Sequence, residues 1–227
     1  KYQGLLKRRL AEIAVPNGWC LDVDIDEFFD YPYSQSLPLA RFLDYLNAKG
    51  YTAVVTQMLD MFSDGSLSSL DQEREHSLRR VHRYYDVSDV RKASYFEENL
   101  TATFGTHNVA SSAETAVYWG GIRKKVYGVD VFLTKHALFR TGVGLELFRH
   151  NHYVDKAVVA DVSWLLLHYK FADNANAGAA QNRVAFTANR DHYDRMLEVN
   201  AKQPNARIKG DEAKEYSSSE ELLESGF

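Results

Sequence analysis

The sequence predicts an α/β fold with a mixed sheet flanked by helices, and three stretches within the first sixty residues carry that expectation. Residues 19 to 25 alternate apolar and polar side chains. Residues 39 to 46 place Leu39, Phe42, Leu43 and Leu46 at helical spacing, and residues 51 to 59 form a β-rich, almost continuously apolar run. Strand, helix and strand in that order read as a crossover unit, whose two strands would pair in parallel and lie buried.

Ahead of that unit, Leu5, Leu6, Leu10 and Ile13 stand at helical spacing opposite Lys7, Arg8 and Arg9, so residues 1–15 read as an amphipathic surface helix that Pro16-Asn17-Gly18 ends. In the first strand Trp19, Leu21, Val23 and Ile25 alternate with Cys20, Asp22, Asp24 and Asp26, which crowds its far end with carboxylates. Ser36 is placed to cap the next helix and Gly50 to stop it. Ser, Gly and Asp content marks 60–71 as a loop, and Glu73 to Arg83 reads as a charged, solvated helix. Thr115 to Tyr127 reads as two β-like runs around Gly120-Gly121, a hairpin pattern, with a further strand in Val131 to Phe139. Val158 to Ala172 holds another apolar run, and residues 175–200 look helical through Val184, Phe186, Tyr193, Met196 and Leu197. The expected organisation is one domain over 1–200 and a polar extension, 201–227, in which Ser218-Ser219-Glu220-Glu221 resembles a helix start.

Of the 227 residues 45% are hydrophobic and 13% aromatic, enough for a sizeable core, which excludes disorder over the whole chain. Lys and Arg number 27 against 31 Asp and Glu, and a net charge of −4 gives a phosphate polymer no electrostatic footprint, so no nucleic-acid partner is expected. Cys20 is the single cysteine, which rules out an intrachain disulfide and a Cys-rich zinc site and makes a reducing cytoplasm the expected compartment. Apolar runs such as 162–167 fall far short of the ~20 residues of a spanning helix, so any membrane association would be peripheral. The opening Lys-Tyr-Gln-Gly carries neither Met nor a signal-peptide pattern and reads as cut from a longer chain.

Asp22, Asp24, Asp26 and Glu27 are the strongest chemical signal. Carboxylates this dense at a strand end repel one another unless a cation or cationic side chains neutralise them. Mg²⁺ or Mn²⁺ suits oxygen ligands and keeps positions open for substrate phosphates; a solvated acidic turn is the plain alternative. An EF-hand loop beginning at Asp22 fails twice, because Glu27 stands where Gly is required and Tyr33 where a bidentate Glu is required. A phosphatase of the haloacid dehalogenase type also begins with a strand ending in Asp-x-Asp, as in Asp22-Val23-Asp24. It needs a later apolar strand ending in an acidic pair, and no such strand precedes Lys209-Gly210-Asp211.

Asp24-Ile25-Asp26-Glu27-Phe28-Phe29-Asp30-Tyr31-Pro32, set between a strand and a helix, resembles the bacterial glycosyltransferase family 2-like proteins of GT-A fold. Met58-Leu59-Asp60-Met61-Phe62, Gly120-Gly121-Ile122-Arg123, Leu167-His168-Tyr169-Lys170-Phe171 and the closing Glu220 to Phe227 are similar to that family in the same order, so the resemblance spans most of the chain. It implies a partial GT-A-like, Rossmann-related mixed sheet without the family's upstream nucleotide-binding portion, since only 18 residues precede the Asp-x-Asp strand. It implies a metal-dependent glycosyltransferase with a nucleotide-diphospho-sugar donor and a carbohydrate or lipid-linked acceptor. The donor's diphosphate would be held by Mn²⁺ or Mg²⁺ on Asp24 and Asp26, with His168 as a late ligand; a core histidine bonded to backbone remains the other reading of His168.

The family's Glu-Asp pair after the Gly-Gly segment, which supplies the catalytic base, has no counterpart here. Asp60, at the end of the second strand of the unit, is the substitute, with loop capping as its alternative role. Arg123 and Lys135 would neutralise phosphate, or stand as solvated strand cations, and His152 is a further candidate. A non-catalytic carbohydrate- or partner-binding module on the same scaffold is the reading from a different class.

Overall fold

The computed structural model describes residues 2–69, 77–96, 107–150, 152–172, 180 and 190–227. Helix α1 (Tyr2–Ala14) leads into β1 (Trp19–Leu21), β2 (Glu27–Asp30), α2 (Leu39–Ala48) and β3 (Ala53–Asp60). Next come α3 (Leu78–Val81), β4 (Tyr84–Tyr85), β5 (Val90–Ser94), β6 (Val109–Ala110), β7 (Ala116–Gly120), α4 (Ile122–Tyr127) and β8 (Thr134–Arg140). The chain closes with β9 (Glu146–His150), β10 (Tyr153–Asp155), β11 (Val158–His168), α5 (Arg190–Lys202), β12 (Lys214–Glu215) and α6 (Ser219–Glu224).

The main sheet has the order β1-β8-β3-β11-β2, with β6 alongside the start of β11. β3 and β11 are parallel, while β1 with β8, β8 with β3 and β11 with β2 are antiparallel. This is the mixed sheet with flanking helices that the sequence predicts, although the strands pair differently. β8 lies between β1 and β3, so the parallel pair joins β3 to β11 and not to the strand before α2. Local patterning cannot show that a strand from far along the chain will insert between two neighbours.

Alternation on β3 and β8 sends side chains to two faces. Val54 and Leu138 pack with Trp164 under Leu39, Phe42, Leu43 and Leu46 of α2. Val55 and Phe139 pack on the opposite side with Val117 of the β5–β7 ribbon and Val154 of β10. All eight residues of β3 are buried, which explains its almost unbroken apolar run.

Three sequence expectations need correction. The alternating strand over 19–25 stops at Leu21; residues 24–27 turn, with the Glu27 amide donating to the Asp24 carbonyl at 3.0 Å, and β2 then runs on. The expected hairpin at Gly120-Gly121 is instead a strand followed by α4, because both glycines adopt positive φ, at 84° and 65°, and turn the chain into a helix that buries Ile122, Arg123 and Tyr127. In α1, Leu5, Leu6, Leu10 and Ile13 all stay more than half exposed, whereas Lys7 turns towards the body, drawn by two carboxylates.

The segment 201–227 is woven into the same body. Ile208 is buried beside Phe62, Leu67 and Met196, β12 pairs with β4, Leu222 is buried beside Leu165 and Tyr169, and the Phe227 ring meets Tyr118 edge-on. Ser218 caps α6 as expected, its Oγ accepting from the Glu221 amide. The expected helix over 175–200 is present as α5 from residue 190; its earlier part, with Val184 and Phe186, lies outside the described residues, as do residues 73–76 of the charged stretch Glu73 to Arg83, whose described remainder is helical only over α3 (Leu78–Val81). Among the described residues no helix is long and apolar enough to cross a membrane.

Candidate functional site

Three strand ends meet at one edge of the sheet. Asp60 ends β3, His168 ends β11 and Glu27 begins β2, and pairing sets His168 directly opposite both Asp60 and Glu27. The Met61 amide donates to the His168 carbonyl and the Tyr169 amide to the Asp26 carbonyl, both at 2.8 Å, so the ladder continues one residue past each strand end and fixes the backbone there. Carboxyl ends of parallel strands are where open α/β sheets bind ligands.

Asp60 and His168 are in direct contact, with Nδ1 of the imidazole 2.6 Å from Asp60 Oδ1. Arg123, delivered by the Gly120-Gly121 turn, donates from Nε to the other Asp60 oxygen at 2.7 Å. Burial alone would push the Asp60 carboxyl up, but Arg123 and His168 overcome that and hold it at about 2. The far side of the imidazole faces Asp26, with Nε2 3.6 Å from Oδ2. The His168 contact is the largest cause holding the Asp26 carboxyl far below the usual carboxylate range. Burial would push His168 down, yet the Asp26 and Asp60 contacts outweigh it and raise the ring above its ordinary value. The His168 ring is thus hydrogen-bonded to the Asp60 carboxylate and faces Asp26, where the core reading expects a bond to backbone.

Asp24 lies in a separate arrangement. Lys7 Nζ stands 3.0 Å from Asp22 and 2.9 Å from Asp24, and Lys135 Nζ stands 2.8 Å from Glu27, 3.7 Å from Asp22 and 3.6 Å from Asp24. Glu27 also folds back to accept the Asp24 amide at 2.8 Å. Burial would raise the Asp24 carboxyl, but Lys135 and Lys7 hold it down, with help from His152. The cations that a dense acidic cluster requires are, for these three carboxylates, two lysines. Lys135 is only 1% exposed and its ammonium is committed to Glu27, so the phosphate contact expected of it is not available to it.

Lys170 and His192 were not singled out in the sequence, and both belong to this region. Burial and the nearby Arg123 push the Lys170 ammonium down, while Asp26, Asp60 and Asp24 act in the other direction. His192, on α5, is pushed down to about 4 by burial and by Arg123 and Lys170. Arg123 Nη2 and His192 Nε2 are buried without a hydrogen-bond partner among the described residues. The spacing of His168 and Lys170, two residues apart, was a usable signal for Lys170; nothing in the sequence linked Lys7 to a turn fifteen residues later.

Among the described residues, no group of three His, Cys, Asp or Glu side chains is placed to hold a metal ion. The pair that does face one another, Asp26 and His168, offers one carboxylate oxygen and one imidazole nitrogen, a donor set that Mn²⁺ or Mg²⁺ accepts when phosphate and water complete the shell. Asp24, the other expected ligand, is committed to Lys7. No family model, no curated protein and no solved structure matches the chain.

Proposed function

We propose that the chain forms part of a metal-dependent glycosyltransferase that moves a sugar from a nucleotide-diphospho-sugar to a carbohydrate or lipid-linked acceptor. The observation that carries this reading is the sheet edge at which Asp26 and His168 face each other beside the cations Arg123 and Lys170. A divalent ion bound there would neutralise charge developing on the departing diphosphate. Asp26 and His168 would hold the ion, and Arg123 and Lys170 would make the edge electrostatically favourable for phosphate oxygens. Asp60 has both oxygens engaged and its charge stabilised, so it does not suit the role of base.

The test is calorimetric titration of uridine and guanosine diphosphate with and without Mn²⁺. Binding that requires Mn²⁺ and disappears in Asp26→Asn is the expected result; nucleotide binding indifferent to metal, or none, overturns the reading. One observation favours a second reading, a non-catalytic carbohydrate-binding module: Lys7 and Lys135 already neutralise Asp22, Asp24 and Glu27 without an ion. That reading expects oligosaccharide binding that a chelator leaves unchanged.

A further inference from the structure

We propose that Asp60 is the positioning residue of His168: it accepts a hydrogen bond from Nδ1–H and so fixes the imidazole with Nε2 turned to Asp26, ready for a divalent cation. This rests on the metal-dependent reading above and replaces the part of base expected for Asp60.

Four features carry it. The Nδ1 to Oδ1 distance of 2.6 Å is that of a strong, charge-assisted hydrogen bond. The two residues sit opposite one another on adjacent parallel strands, so neither backbone can shift without breaking the central pairing. Arg123 Nε holds the second Asp60 oxygen at 2.7 Å, which locks the carboxylate that locks the ring. Asp60 is 5% exposed, too enclosed to reach an acceptor hydroxyl but well placed to act through its neighbour. Ligand histidines commonly donate their other ring N–H to a carboxylate, which sets the tautomer and increases the basicity of the ligating nitrogen.

Two measurements test this. The first needs no variant: nitrogen-15 spectra of the wild-type His168 ring without metal, at alkaline pH where the ring is neutral. The proton is expected on Nδ1, and an Nε2–H tautomer overturns the proposal. The second is Mn²⁺ binding in the presence of inorganic pyrophosphate, followed by the paramagnetic resonance of free Mn²⁺. Asp60→Asn is expected to weaken affinity by ~10–100-fold. A folded Asp60→Asn protein with wild-type Mn²⁺ affinity overturns the proposal, since a merely structural role would lower the unfolding temperature and leave affinity alone. Failure of the underlying reading looks different: the wild type itself would take up no Mn²⁺, whatever the tautomer of His168.

Discussion

Lys135 Nζ lies 2.8 Å from Glu27 Oε2, with the two side chains 1% and 2% exposed, and the same ammonium is within 4 Å of Asp22 and Asp24. The lysine is shared by three carboxylates and the glutamate has one cation, so the two partners are not equivalent. Lys135→Met should destabilise the fold by about 3–5 kcal/mol, because it leaves buried negative charge uncompensated. Glu27→Gln should cost less, since Lys135 keeps Asp22 and Asp24. Urea unfolding of both variants checks the order; an equal loss would mean that Asp22 and Asp24 contribute nothing to holding Lys135.

Asp24 and Asp26 should separate in their response to metal. Mn²⁺ with pyrophosphate, at 100 times its dissociation constant, should stabilise the wild type by about 2.7 kcal/mol. Asp26→Asn should abolish that gain, and Asp24→Asn should keep most of it, because Asp24 is held by Lys7 and Lys135 while Asp26 faces His168. Thermal unfolding with and without Mn²⁺ reads this directly, and equal loss in both variants would place Asp24 among the ligands.

His136 gives a pH dependence. It lies buried on β8, its Nε2 3.0 Å from the Tyr95 hydroxyl, and burial pushes it down to about 3, with Asp155 opposing. A base depressed in the fold takes its proton first in the unfolded chain, at about 6.5, so the unfolded state binds more protons below that pH and stability falls as pH falls. The loss should be about 1.4 kcal/mol per pH unit between about 6.5 and about 3. Above 6.5 the group contributes no slope. Urea midpoints of wild type and His136→Gln at neutral and mildly acidic pH should diverge in slope, the variant lacking this component.

Gly120→Ala should be costly. The residue sits at φ 84°, and a Cβ there would meet the Asp89 carbonyl oxygen at 2.6 Å. Strain and backbone clash together should exceed about 1 kcal/mol. Because the turn delivers Arg123 to Asp60, chemical denaturation should show the stability loss and the His168 ring resonances should shift with it.

The sequence was most informative where burial is two-sided or a cap is local. β3 and β11 show as apolar runs, α2 as a one-faced helix, and the start of α6 by its capping Ser218. It misled at Gly120-Gly121, since Ile122 and Val126 fit a short helix as well as a strand and only the two positive φ values decide. The motif residues Asp26, Asp60, Arg123 and His168 do converge on one edge. Their division of labour was not legible, because it depends on which cation reaches which carboxylate: Lys7 and Lys135 take Asp24, leaving Asp26 to His168. Such choices are made by packing between elements far apart in the chain.

The pairing of β2 with β11 bears on how the protein is made. Among the described residues β11 is the sheet partner of β2, and it is also the strand that covers one side of β3. A ribosome releases the acidic turn and the apolar β3 long before β11 emerges. Any product of premature termination ahead of residue 158 therefore carries β3 as an open edge with an apolar row, a template for clumping with other unfinished chains. Completion of β11 closes that edge and brings His168 to Asp26 in the same event, so truncated translation products should sediment as aggregates and never persist as partly working protein.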